Sequence, residues 1–376
     1  MNPLNYLNTM EQNLCNIADY KQIPIAGNVE LLPLCNMHCK MCYARMSKEQ
    51  MDQYAPMHTW KEWLNVLEQA KEMGMLFLLL TGGEPFLYPN FKELYLELKK
   101  MGIFVSINTN GTLLNDEIAE YLASDPPRRV NITLYGSSDQ TYARLCGNRK
   151  GFTQVMNAIE LLQKRKIDIK FNCSLTPYNL GEMDDIYKIG ENLNIPIEMG
   201  YYMFPSIREN NIANVKYRLT PQQAAYAKFK IQQYQAKRRK IDFKEFVKET
   251  LYSYKNYHQI EEYKSGFTCR SGNSVFWINY DGTMTPCSFV KNPKVSVFKN
   301  SFEECWKQIV TGTMEKYLSE KCHNCKKNIL CGRCAAAAES ETGRINGTPQ
   351  YYCDMANEYL KLLEEYELVQ RCDVKR

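Results

Sequence analysis

Three cysteines stand within eight residues, Cys35-Asn36-Met37-His38-Cys39-Lys40-Met41-Cys42, with gaps of three and then two. Thiolates this close on one loop can hold three corners of a cubane iron–sulfur cluster, whose complete protein ligation takes four. No fourth cysteine follows in the loop, so one iron would stay open to another ligand. His38 lies between two thiols and reads as a loop residue, although a three-cysteine zinc site completed by His38 would use the same side chains. Seven more thiols fall in the C-terminal stretch: Cys269, Cys287, the pairs Cys322-His323-Asn324-Cys325 and Cys331-Gly332-Arg333-Cys334, and Cys353. A zinc ribbon would use four of them, not seven. The chain has fifteen cysteines, an odd number, and no cationic, apolar start of the kind that directs secretion. Disulfide frameworks belong to oxidising compartments. Reduced thiols serving as metal ligands in the cytoplasm fit better.

Such thiols need a scaffold. From about residue 27 to 204, apolar β-branched runs at 28–34, 76–80, 104–108, 129–135, 167–175 and 197–204 alternate with amphipathic segments. Trp60, Trp63, Leu64, Leu67 and Ala70 show helical spacing, as do Phe91, Leu94, Tyr95 and Leu98, and Val155, Ile159, Leu161 and Leu162. Gly102, Pro126-Pro127, Gly151 and Pro196 punctuate them. Six strands alternating with helices predict an α/β fold with a parallel sheet and right-handed crossovers. Six are too few to close an eight-stranded barrel, so an open, partial (β/α)6 TIM-like barrel is expected, with ligands at the C-terminal ends of its strands. Residues 217–263 read as helices rich in Tyr, Lys and Gln that begin at Thr220-Pro221. From Gly266 the chain turns cysteine-rich, with a hairpin of 275–279 and 284–287 around Tyr280-Asp281-Gly282 and a closing helix at 354–370. The expected divisions are an N-terminal extension 1–26, a barrel 27–210, a helical linker 211–265 and a small cysteine-rich domain 266–376.

Composition adds exclusions. In 376 residues, 44% hydrophobic and 24% charged side chains describe a globular protein with a sizeable core. The longest apolar run, 75–80, is far too short to cross a membrane. A net charge of +5 implies no particular partner. Lys237-Arg238-Arg239-Lys240 is the one feature that suggests nucleic acid, and it reads as a solvated helix face.

The Cys35–Cys39–Cys42 spacing after a first barrel strand resembles the radical S-adenosylmethionine (radical SAM) superfamily. The resemblance extends to Thr81-Gly82-Gly83-Glu84-Pro85 after strand two, which is similar to the family's glycine-glycine-glutamate motif. It implies a 4Fe-4S cluster on Cys35, Cys39 and Cys42 that binds S-adenosylmethionine at its open iron. Reductive cleavage would then give methionine and a 5′-deoxyadenosyl radical that abstracts a substrate hydrogen. By the same resemblance, Gly82, Gly83 and Glu84 would meet the methionine amino group. Thr109, Asn110 and Thr133 would contact ribose or carboxylate, with Asn172 and Ser174 beside them. Met41 and Tyr43 would flank the adenine, and Arg144 would be a cation for the carboxylate. No side chain is assigned as a catalytic acid or base.

The second thiol set resembles the SPASM extension of such enzymes, which carries two auxiliary 4Fe-4S clusters. Family connectivity puts Cys322, Cys325, Cys331 and Cys353 on one cluster and Cys269, Cys287 and Cys334 on the other. Two departures stand out: only two residues separate Cys331 from Cys334, and no cysteine lies between Cys269 and Cys287. The fourth ligand of the inner cluster is therefore unassigned. Cys305 is the nearest spare thiol and reads as core, as does Cys173. Cys146 approaches the active site, and Cys15 and Cys372 are incidental. The implied activity is a radical SAM oxidoreductase acting on a peptide by thioether or carbon–carbon crosslinking, oxidation or epimerisation. The partners would be a peptide substrate and a flavodoxin or ferredoxin electron donor, with no membrane and no nucleic acid. Alternatives are a small-metabolite substrate and a non-catalytic iron–sulfur or zinc protein. Ser288 stands where sulfatase-maturing members carry an Asp base, which argues against that branch. Fewer than thirty residues precede strand one, so leader recognition is expected to be absent, supplied by another chain, or handled by the barrel and the 205–265 segment. That weakens the leader-dependent reading without excluding it. The run Tyr201-Tyr202-Met203-Phe204-Pro205 with Arg208 is read as part of a substrate wall, with core packing the alternative for at least half of its aromatics.

Overall fold

The computed structural model describes residues 9–208, 216–257, 267, 269–314, 316–317 and 319–373. Alternation of side chains builds its central sheet. In β1 (Ala26–Glu30), β2 (Phe77–Thr81), β3 (Phe104–Thr109), β4 (Arg129–Thr133), β5 (Ile169–Ser174) and β6 (Ile197–Gly200), one set of side chains is buried and the other half-buried. Val105 and Ile107, Val130 and Ile132, and Phe171 and Cys173 point outward into one core with Trp63, Leu67, Leu94 and Ile159 of the surrounding helices. The opposite set is polar at Ser106, Asn108, Asn131, Asn172 and Ser174 and lines the concave face. There Asn131 Nδ2 donates to Asn108 Oδ1 at 2.8 Å, and Lys170 pairs with Glu198 at 2.7 Å.

All six expected strands are present, parallel and in sequence order. The sheet then continues past β1. β7 (Val275–Ile278) pairs parallel with β1, and β8 (Thr283–Thr285) and β9 (Val295–Ser296) follow antiparallel. The order β6-β5-β4-β3-β2-β1-β7-β8-β9 leaves β6 at one edge and β9 at the other, so the barrel is open. The hairpin of the cysteine-rich stretch thus extends the barrel's own sheet.

Three boundaries differ from expectation. β1 stops at Glu30 rather than running to Leu34, and β6 stops at Gly200 rather than Phe204. The second hairpin strand ends at Thr285 rather than Cys287. Leu31 and Leu32 are fully buried, which makes the sequence look like strand, but Pro33 has no donor and the loop bonds instead to the residues after β2. The linker holds two helices, Pro221–Arg239 and Phe243–Lys255; the part of the expected helical stretch at 258–263 lies outside the described residues. The closing helix is Gln350–Asp373, longer than expected, and it packs on Pro221–Arg239 through Phe229 and Tyr366, 5.8 Å apart. The N-terminal extension contains the helix Thr9–Lys21, which Arg270 grips through Cys15 O and Asp19.

After β6 the chain returns over the barrel mouth. Arg208 pairs there with Glu30, which is 1% exposed, and donates to Ala44 O. Burial pushes the Glu30 carboxyl up, and the guanidinium pulls it back. Arg208→Ala would strand a buried carboxylate, with an expected loss of about 3–5 kcal/mol in urea unfolding. Glu30→Gln/Arg208→Met should recover much of that loss.

Candidate active site

The cysteine loop leaves the C-terminal end of β1, where parallel sheets present their ligand sites. Two sets of backbone bonds fix it. On one side, Gly83 N donates to Leu32 O at 2.8 Å and Glu84 N to Leu34 O at 2.9 Å. A Cβ on Gly83 would stand 2.1 Å from Leu34 O, so this approach needs glycine. On the other side, His38 N donates to Cys146 O at 2.9 Å and Lys40 N to Leu145 O at 3.0 Å. Those carbonyls end the helix Asp139–Cys146 and are spare acceptors for that reason.

Two thiols of the loop have hydrogen-bond donors: Cys35 Sγ accepts from Met37 N at 3.4 Å and Asn110 Nδ2 at 3.6 Å, and Cys42 Sγ accepts from Arg45 N at 3.3 Å. Cys39 has Cys146 and Tyr135 as neighbours. Burial pushes Cys35 up to about 12 and raises Cys42. Cys39 goes the other way, held below the ordinary thiol range first by Cys146 and then by Tyr135. Among the described residues, no three His, Cys, Asp or Glu side chains converge as ligands of a single ion would.

The glutamate of the Gly-Gly-Glu motif is turned into the wall. Glu84 is fully buried; Oε1 accepts from Thr109 Oγ1 at 2.8 Å and Phe86 N at 3.2 Å, and Oε2 accepts from Asn110 N at 2.8 Å. Burial pushes its carboxyl up to about 7 against these bonds. Asn110 Nδ2 reaches Asn36 Oδ1 at 2.9 Å, and Asn36 Nδ2 reaches Thr112 Oγ1 at 2.8 Å. Glu84, Thr109 and Asn110, expected as direct cofactor contacts, form one network that reaches the cysteine loop through Asn36 and Cys35.

The other expected contacts are spread around the mouth. Register sets Thr133 beside Asn172, and Ser174 follows two residues on; all three are half-buried on the concave face. Met41 is 3% exposed and belongs to the main core, whereas Tyr43 packs 4.7 Å from Phe289. Arg144 is half-exposed, 3.9 Å from Glu182 and bonded to Thr141 Oγ1. Glu182 also accepts from Ser137 N at 2.7 Å and Ser137 Oγ at 2.8 Å.

The C-terminal thiols have one another as electrostatic neighbours. Cys353 lies within electrostatic reach of Cys322 and Cys325, and Cys331 of Cys353 and Cys322. Cys287 is in reach of Cys269 and Cys334. Cys305 is fully buried, with its thiol on Ser296 O at 3.5 Å, and Cys173 is also buried. Cys372 carries no described side chain. In the expected substrate wall, Phe204 stacks on Phe289 at 3.8 Å, Tyr202 bonds Glu341 at 2.9 Å, and Arg208 is held by Glu30.

Sequence reasoning missed Glu182, Thr112 and the place of Tyr135 beside Cys39. Only Cys146 was pointed to, by its place after strand four. Glu84→Ala would leave the Thr109 hydroxyl and the Asn110 amide without an acceptor in a dry site. An expected loss of about 2–4 kcal/mol follows, at one to two unmet groups, measurable by urea unfolding.

Residues 29–189 match the Radical SAM superfamily. The sporulation killing factor maturation protein SkfB of Bacillus subtilis is 26% identical over 81% of this chain and 69% of its own length. The AdoMet-dependent heme synthase of Methanosarcina barkeri is 23% identical over 84% of this chain and 92% of its own. The crystal structure of Streptococcus suis SuiB bound to the precursor peptide SuiA superposes with a TM-score of 0.66 at 17% identity, covering 92% of this chain and 82% of SuiB. The thiol triplet at the end of β1, the open parallel barrel and the family match together identify residues 29–189 as a radical SAM domain.

Proposed function

We propose that this radical SAM enzyme is of the SPASM type and matures a ribosomally made peptide by crosslinking, oxidation or epimerisation. The observation that carries it is the triplet Cys35, Cys39 and Cys42 on the loop at the C-terminal end of β1 of an open barrel, with N–H donors on Cys35 and Cys42 and no fourth cysteine in the loop. Three such sulfurs fit a cluster whose fourth iron takes S-adenosylmethionine. When bound, that pair supplies one electron to the sulfonium and yields a 5′-deoxyadenosyl radical that takes a substrate hydrogen. The chain's own residues do the rest. The backbone of Gly82 and Gly83 offers itself to the methionine moiety, and Arg144 to its carboxylate. Thr133, Asn172 and Ser174 line the concave face where the adenosyl group would lie. The wall excludes water and holds the target C–H near the radical. Cys322, Cys325, Cys331 and Cys353 would hold one auxiliary cluster, and Cys269, Cys287 and Cys334 another.

The peptide reading draws support from the relative named as a maturation protein and from the neighbour crystallised with a precursor peptide. A small-metabolite substrate is the second reading, favoured by the match to a heme synthase over nearly all of that protein's length. We assign the electron supply to a flavodoxin or ferredoxin in the cytoplasm, where fifteen thiols stay reduced.

Anaerobically reconstituted protein should hold about twelve irons, three cubane clusters, and Cys35→Ala/Cys39→Ala/Cys42→Ala about eight. With S-adenosylmethionine, a strong reductant and a short peptide encoded beside its gene, mass spectrometry should show loss of two hydrogens matched by 5′-deoxyadenosine. Epimerisation would leave the mass unchanged and appear instead as deuterium uptake from solvent. An untouched peptide alongside steady 5′-deoxyadenosine shifts weight to the metabolite reading. No 5′-deoxyadenosine from protein with intact clusters sinks the radical chemistry.

A further inference from the structure

The Asn110 amide is fully committed. It is buried at the end of β3, and a primary amide has two donor hydrogens and two acceptor lone pairs. Oδ1 accepts from Thr112 N at 2.9 Å and from Thr112 Oγ1 at 2.6 Å. Nδ2 donates to Asn36 Oδ1 at 2.9 Å and to Cys35 Sγ at 3.6 Å. The reverse orientation is ruled out, because Thr112 N can only donate and must face the oxygen. The backbone is held too, since Asn110 N donates to Glu84 Oε2 at 2.8 Å. Cys35 also accepts from Met37 N, and Cys42 from Arg45 N. Those are main-chain groups that a side-chain substitution leaves in place. The Asn110 bond belongs to the side chain.

We propose that Asn110 is a positioning residue that aims an N–H at the Cys35 sulfur and so raises the reduction potential of the S-adenosylmethionine-binding cluster, rather than contacting S-adenosylmethionine itself. This rests on the assignment of Cys35, Cys39 and Cys42 to that cluster. One-electron reduction adds a negative charge that spreads onto the ligand sulfurs. An N–H aimed at one of them stabilises the reduced state more than the oxidised one. Glu84 and Thr112 hold the dipole in place before the charge arrives, so no reorganisation opposes it. Losing one such bond should shift the one-electron equilibrium by roughly three- to tenfold, which is about 30–60 mV at 59 mV per tenfold.

The test is an EPR-monitored redox titration of the reconstituted enzyme without S-adenosylmethionine, following the signal that its later addition perturbs. That perturbation separates this cluster from the auxiliary ones. Asn110→Leu keeps much of the side chain's volume and removes the donor, and Asn110→Ala removes the donor with less bulk. Each should retain its iron and move the midpoint to a more negative value by the amount above. An unchanged midpoint in an iron-loaded variant overturns the proposal. If that variant also binds S-adenosylmethionine more weakly, Asn110 is a direct contact instead. Loss of iron from both variants overturns the proposal as well, because the residue would then merely hold the loop. Wild-type protein with iron but no signal responsive to S-adenosylmethionine would instead overturn the cluster assignment beneath it.

Discussion

A buried carboxylate organises the mouth of this barrel. Glu84 sits with no solvent contact and accepts from Thr109, Asn110 and Phe86. A charge or proton buried there is costly unless every lone pair is used, so β2 and β3 must end in one relative position. From that fixed point Asn110 reaches across to Asn36 and Cys35. The position of the first thiol is thus set by a carboxylate that never touches it. The opposite side of the loop hangs on the last carbonyls of the helix Asp139–Cys146. Two rigid supports, from β2–β3 and from the fourth unit, hold a loop with no regular structure of its own.

The C-terminal cysteine-rich stretch is built onto this site rather than beside it. β7 pairs with β1, the strand that launches the first cysteine loop. Aromatic rings fill the seam between them. Tyr43, next to Cys42, packs on Phe289, two residues from Cys287; Phe289 stacks on Phe204; and Tyr202 packs 4.8 Å from Tyr352, next to Cys353. The sequence run 201–205 was expected to face substrate. Within it, Tyr202 and Phe204 pack on rings of the cysteine-rich stretch, in line with the core packing expected for at least half of its aromatics.

What could be read from the sequence was local. The gaps of three and two in Cys35–Cys39–Cys42, the Gly-Gly-Glu motif and the strand–helix alternation all lie within short windows, and the structure contains each. Strand ends were misjudged where burial outlasts the ladder: Leu31 and Leu32 are buried as loop residues, so hydrophobicity alone placed β1 too far. The partners were harder. Glu84 meets Thr109 across 25 residues of chain and Arg208 meets Glu30 across 178, and no periodicity encodes such pairs. Glu84 itself illustrates the limit, since the motif identified the residue but not the direction of its carboxylate.

The charges near the loop bear on how its sulfurs are stabilised. Arg208 is spent on Glu30, and on the concave face Lys170 is spent on Glu198. Lys40 lies over the Tyr178 ring at 4.4 Å, and Arg144 is shared with Glu182. These cations are neutralised or turned aside before they reach the thiols. Stabilisation of negative charge on sulfur falls to the nearby Arg45 side chain, whose charge favours the thiolates of Cys39 and Cys42, and to the dipoles of Met37 N, Arg45 N and Asn110. Dipoles fixed by folding need no reorganisation when charge appears.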